Sequence, residues 1–283
     1  MVRKNGELPG PPPTERSTIS RLAPYLQFAS KAFQREATYR VEVLSEIGSL
    51  VLRVYLIRAL WTALYAHNPA PPNLPLHAII TYSTVALLLS LIFEVDGTRQ
   101  LREKLRLGTI ATDLLKPISI PGFLFSDGLG MTLLHAMTVI PSLLIALLLV
   151  HVDRPATAGA AAAFLAAFAL GYAVNFLLNF CMNCVAFWTL ETFALQLVVR
   201  WLSDLLSGAI IPLAFFPGAF QSVLLHLPFA AVYSTPLLIY LGLLRGQQIG
   251  HALLEQAAWL LAFAAVAALA WNRGRDRVVV QGG

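Results

Sequence analysis

Thirty-six consecutive residues, Pro155 to Leu190, contain no charged side chain. A soluble fold has no place for an uncharged run of that length, but a bilayer does, since about 20 apolar residues cross its hydrocarbon core. A span at 156–183 fits inside this run, and further apolar runs cover 48–66, 76–93, 123–150, 193–212 and 252–271. Of the 283 residues, 57% are hydrophobic and 12% charged, about half the charged share of soluble domains. The pattern predicts an all-α polytopic membrane protein with six transmembrane helices. The net charge of +5 does not signal nucleic acid, because the basic residues flank the apolar runs. Seven Lys/Arg precede Val41, five lie within 94–121 and three follow Trp271, against only Arg154 and Arg245 in the opposite connections. That asymmetry predicts that both termini are cytoplasmic.

Two segments interrupt the apolar pattern in opposite ways. Residues 94–121, EVDGTRQLREKLRLGTIATDLLKPISIP, are charged and helix-like, and read as a cytoplasmic loop between the second and third spans. From Leu205 to Leu244 there is no formal charge, but Pro212, Pro217, Pro228 and Pro236 cut the run into pieces too short to cross. Such pieces predict re-entrant outer helices at 213–245, between spans five and six. Residues 1–20 are polar and proline-rich, read as a disordered cytoplasmic tail without an apolar signal segment. Residues 21–47 place Leu22, Leu26, Ala29, Phe33, Ala37, Val41 and Leu44 at helical steps. That stripe predicts an amphipathic helix lying on membrane lipid, or alternatively packed on protein. The membrane domain is then 48–272, and 273–283 form a cytoplasmic tail.

Catalytic signatures are missing from the sequence. No phosphate-cradling G-x-x-x-x-G-K-[ST], no H-E-x-x-H and no G-x-S-x-G occurs. Cys181 and Cys184 sit within an apolar run and read as small buried hydrophobes. The six histidines share no ligand spacing, so neither a metal site nor a catalytic residue is expected. Three polar constellations stand out. Gly171, Asn175, Asn179 and Asn183 repeat every four residues along one face of the fourth span. They read either as inter-helix hydrogen bonding or as a polar wall of a translocation path. Arg200 and Asp204, also four apart, suit an interfacial ion pair or a wet cavity. Arg53 and Arg58 in the first span suit snorkelling, a salt bridge to Asp204 or Glu191, or contact with an anionic group.

Two strings resemble a known family. LGTIATDLLKPISIP (107–121) resembles the first cytoplasmic loop of bacterial type-2 ATP-binding-cassette (ABC) permeases, and SGAIIPLAFFPGAFQSVLLHLPFAAVYSTPLLIYLG (207–242) resembles their outer region. The group includes viologen and drug exporter permeases, and the resemblance extends over about 39–271. It implies a permease subunit of an exporter in the bacterial inner membrane, itself no enzyme. A separate cytosolic ABC ATPase would hold the ATP and magnesium, so this chain needs no cofactor of its own. A second permease chain, identical or related, would complete the path. Gly108, Thr109, Asp113, Leu114, Leu115, Lys116 and Pro117 would couple to the ATPase, with Trp188 and Glu191 as a minor second contact. Candidate path residues are Arg53, Arg58, Asn175, Asn179, Asn183, Arg200 and Asp204, together with Tyr55, Tyr82, Phe93 and Trp201. The aromatic rings suit amphipathic or cationic cargo, whereas Arg53 and Arg58 favour anionic groups. A secondary transporter would instead need inverted repeats and mid-membrane carboxylates, and a membrane enzyme would need clustered His, Asp or Cys at one depth.

Overall fold

The computed structural model describes residues 18–36, 40–67, 74–93, 95–189 and 192–281. Every regular element among them is helical. Five helices are long and apolar enough to cross a membrane: 47–67 within α2 (Arg40–His67), α3 (Leu76–Phe93), α6 (Ile120–Leu149), α7 (Ala158–Cys184) and α11 (Gln247–Gln281). The chain is an all-α polytopic membrane protein. Helix α3 lies at the centre, with most of its side chains buried against α2, α6 and the proline-broken segment within 205–244, which the sequence reads as re-entrant. Polar groups on this buried helix find partners, as where the Trp61 indole N–H donates to Ser83 Oγ at 2.9 Å. The outer faces of α2 and α11 remain apolar and exposed, as a lipid-facing surface should be.

The fifth expected span, 193–212, is not one continuous crossing. Helix α8 (Phe193–Leu206) has 14 residues, about 21 Å long, too short for a core of about 30 Å. It stops because Gly208 turns the chain at φ +83°, and Tyr82 captures the Gly208 carbonyl at 3.0 Å. The chain continues through a 3-10 turn at Leu213–Phe215, α9 (Gly218–Leu225) and α10 (Ser234–Tyr240) before α11 begins. So the described residues hold five helices long and apolar enough to cross a membrane, and 193–212 does not supply the expected sixth.

Both ends of the membrane domain also differ from expectation. Helix α1 (Thr18–Glu36) ends before 47, and α2 has already begun at Arg40. Rather than standing apart on lipid, α1 packs on α6 through Tyr25, Phe28, Ala29 and Ala32. A Cβ at Gly130 of α6 would lie 2.1 Å from the Ala29 carbonyl oxygen, so only glycine allows this approach. Leu26 of the expected apolar stripe is 70% exposed, away from α6. At the other end, α11 does not stop at Trp271 but continues helical to Gln281. The RGRDR charges do not interrupt the helix. Gly274 seats α11 directly on the Phe187 ring, which a Cβ at that position would meet at 2.3 Å.

Candidate functional site

Residues 95–119 fold as a loop with two short helices, α4 (Arg99–Arg106) and α5 (Ile110–Leu114). Gly108 joins them at φ +71°, a turn that a residue with a side chain resists. Leu101 and Ile110 are buried in an apolar cluster with Phe180, Cys184 and Phe187, against which Leu114 also packs. The opposite surface turns outward, with Leu107 68% and Leu115 87% exposed. Gly108, Thr109, Lys116 and Pro117 are exposed beside them. The expected coupling residues therefore separate into an anchor, Leu114, and an outward knob. Asp113 fastens the knob by ion pairs to Lys104 and Lys116. Burial works against its carboxylate, but the hydrogen bonds and charges of the two lysines outweigh this and hold its pKa below the ordinary carboxylate range. Trp188 lies near the same cluster, under the Arg277 guanidinium at 5.7 Å. Glu191 lies outside the described residues.

A buried polar network ties this loop to the membrane helices. Asp96 Oδ1 accepts from the Thr98 backbone N–H at 2.9 Å and from the Thr98 hydroxyl. Asn183, only 2% exposed, donates Nδ2 to Thr98 Oγ1 at 2.8 Å and to Asp96 Oδ2 at 3.3 Å. Its Oδ1 accepts from Gln196 Nε2 at 2.8 Å, and Gln196 Oε1 accepts from Arg102. Thus α4, the end of α7 and the start of α8 share one set of hydrogen bonds. Gly97 crosses α6 at Gly128, where a Cβ would come within 2.5 Å of the Gly128 backbone. Of these residues the sequence singles out only Asn183. Asp96-Gly97-Thr98 carries a turn signal, and Gln196, Arg200, Ser203 and Ser207 share a helical face, but no local pattern joins them.

A cavity of about 590 Å³ opens above the network, between α4, α6, α7, α8 and the re-entrant region. Six of the expected path residues line it: Phe93, Asn175, Asn179, Asn183, Arg200 and Asp204. Arg53, Tyr55 and Arg58 are exposed on α2 instead. Trp201 is exposed on the outer face of α8, and Tyr82 is buried as the Gly208 latch. The asparagine row hydrogen-bonds to neighbouring helices and also lines this cavity. Asn175 Nδ2 donates to the Phe93 carbonyl at 3.1 Å, capping the end of α3, and Asn179 Nδ2 reaches Asn175 Oδ1 at 3.4 Å. Gly171, one turn earlier, lets α7 meet the backbone of the re-entrant segment at Ala231. Among the described residues no group of His, Cys, Asp or Glu could hold a metal ion, and both cysteines are buried and free.

The family model of the ABC-2 family transporter proteins matches residues 53–282. No curated protein and no solved structure matches the chain. The match spans most of the sequence, so the chain belongs to the ABC-2 transporter family. It is a membrane permease component of an ABC transporter.

Proposed function

We propose that this ABC-2 permease is the membrane half of an ATP-driven exporter, powered by a separate cytosolic ABC ATPase. The observation that carries this reading is the α4–α5 loop. It presents exposed Leu107 and Leu115 to the exterior, yet its inner side is locked to α7 and α8 through Thr98, Asn183 and Gln196. A partner pushing on the knob would move the polar network and the cavity wall with it. Trp188, braced by Arg277, offers the minor second contact. ATP and magnesium belong to the partner. A second permease chain, the same or related, covers apolar surface that one chain leaves open, such as the outer face of α8. The cargo is a small amphipathic compound, and both termini lie on the cytoplasmic side of a bacterial inner membrane.

Affinity purification in mild detergent from the native membrane, with mass spectrometry of the eluate, tests this. A stoichiometric ATPase bearing a phosphate-loop motif is expected. Elution of a stable chain without any ATPase would move the reading to a secondary transporter or a membrane enzyme.

A further inference from the structure

Helix α8 has two faces that point in opposite directions. Gln196, Arg200, Ser203 and Ser207 line the cavity, at steps of three and four residues that keep them on one side of a helix. Val198, Trp201, Leu202 and Leu205 are exposed on the other side. Helix α8 is therefore a wall one helix thick, and its polar face turns into its own subunit. The residues that line the cavity come from several helices of this one chain. The cavity volume of about 590 Å³ is in the range of small-molecule sites.

The lining of this cavity mixes polar and apolar side chains, with Ser203, Asp204 and Ser207 carrying polar groups along α8. Arg99 and Arg102 of α4 line the end next to the charged loop, while Leu91, Leu178, Phe229 and Val232 line it among the membrane helices. Three arginines, Arg99, Arg102 and Arg200, face two carboxylates, Asp96 and Asp204. Asp96 accepts from the Thr98 backbone, the Thr98 hydroxyl and Asn183, neutral donors that leave its charge in place, so the three arginines exceed the two carboxylates by one charge. Arg102 donates to Gln196 alone among the described residues, and a guanidinium carries five N–H donors. Among the described residues Arg99 meets an exposed Glu103, at 3.8 Å, a contact of little strength. The surplus is thus of donors for an anion, and planar guanidinium groups match phosphate, sulfate or carboxylate oxygens.

We infer that this cavity binds an anionic amphiphile, with its headgroup on Arg99 and Arg102 and its tail among the apolar side chains deeper in the bundle. That this amphiphile is transported cargo rests on the permease reading; that it binds does not. The same chemistry could come from a free amphiphile or from an anionic membrane lipid, and the test separates them.

Native mass spectrometry of the purified full chain in a neutral detergent would compare dodecyl phosphate with dodecyltrimethylammonium, which pairs a tail of the same length with the opposite charge. Dodecyl phosphate is expected to bind more tightly by about tenfold or more, and Arg102→Gln to lose about tenfold of that affinity. Arg102 also holds Gln196, so Arg99→Gln, at an exposed position, provides a second variant that leaves the network intact. It is expected to weaken the phosphate and not the ammonium compound. Equal binding of the two probes, or unchanged affinity in both variants, would overturn the site. If dodecyl phosphate also stimulates the co-purified ATPase, the occupant is cargo. If phosphatidylglycerol displaces it without stimulation, the occupant is a resident lipid, and the site stands. If no ATPase co-purifies, the permease reading fails while the binding result is unaffected.

Discussion

The α4–α5 loop and the re-entrant region both break the apolar pattern, and they are held in place by different means. The loop carries many charges and holds its form with ion pairs around Asp113 and an apolar anchor beneath Leu101 and Ile110. It leaves Leu107 and Leu115 outside. The re-entrant region carries no formal charge between Leu205 and Leu244 and is held through its backbone. Tyr82 takes the Gly208 carbonyl, Gln256 Nε2 takes the carbonyls of Ala167 and Ala231 at 3.0 and 2.7 Å, and the Trp259 indole takes that of His226. The physical cause is the solvent. Outside the bilayer, water satisfies what the loop leaves over. Within it, each broken turn must find a protein partner for its polar groups. The loop thus leaves Leu107 and Leu115 outside a scaffold held by ion pairs, whereas the buried part of 205–244, around residues 230–233, is held by its backbone carbonyls.

This contrast can be broken or sharpened by substitution. The largest effect is expected from Gly171→Leu, because a Cβ there would meet the Ala231 carbonyl oxygen at 2.9 Å. It should cost about 3 kcal/mol or more, seen as a lowered melting temperature in detergent and a loss of yield. Next comes Gln256→Leu, which leaves the buried Ala231 carbonyl without its donor, at about 2 kcal/mol. The same melting assay checks it, and an unchanged transition would show that the re-entrant region is not held by its backbone bonds.

Effects at the loop should be local and electrostatic. The Asp113 carboxylate is held below its ordinary pKa by Lys104 and Lys116, although burial opposes this. Its stabilising contribution is therefore present above the unfolded value of about 3.9, and is lost as the pH falls from there through the folded pKa. Amide protection over 104–116, taken relative to the intrinsic exchange rate, should fall across that window, and Asp113→Asn should remove this change with pH. The smallest structural effect is expected from Leu115→Glu, less than about 0.5 kcal/mol for a surface position. Yet it should uncouple the partner's ATPase, as measured by cargo-stimulated hydrolysis in proteoliposomes. Normal coupling in Leu115→Glu would erase the functional half of the contrast.

Much of this fold is legible in the sequence because membrane helices are set by the length of apolar runs. The run 76–93 corresponds to α3, and the prolines of 212–236 mark where the chain breaks into short pieces. The Gly171–Asn183 stripe is also readable, since four-residue spacing alone places it on one face. The length of α8 is not, because Leu205–Ser207 look as apolar or neutral as a continuing span. Its end depends on the Gly208 turn and on Tyr82, 126 residues away in the chain. The polar network escapes for the same reason, as Asn183 lies 87 positions from Asp96. Trp201 and Tyr55 illustrate the remaining ambiguity. An aromatic ring has the same appearance in a sequence whether it faces lipid, a cavity or a second chain.

The most direct test of the central claim is photocrosslinking from Leu115 in native membranes, with a benzoylphenylalanine at that position and mass spectrometry of the adduct. The account predicts an adduct with a cytosolic ATPase carrying a phosphate-loop motif. An adduct with lipid alone, or with an unrelated protein, would contradict it.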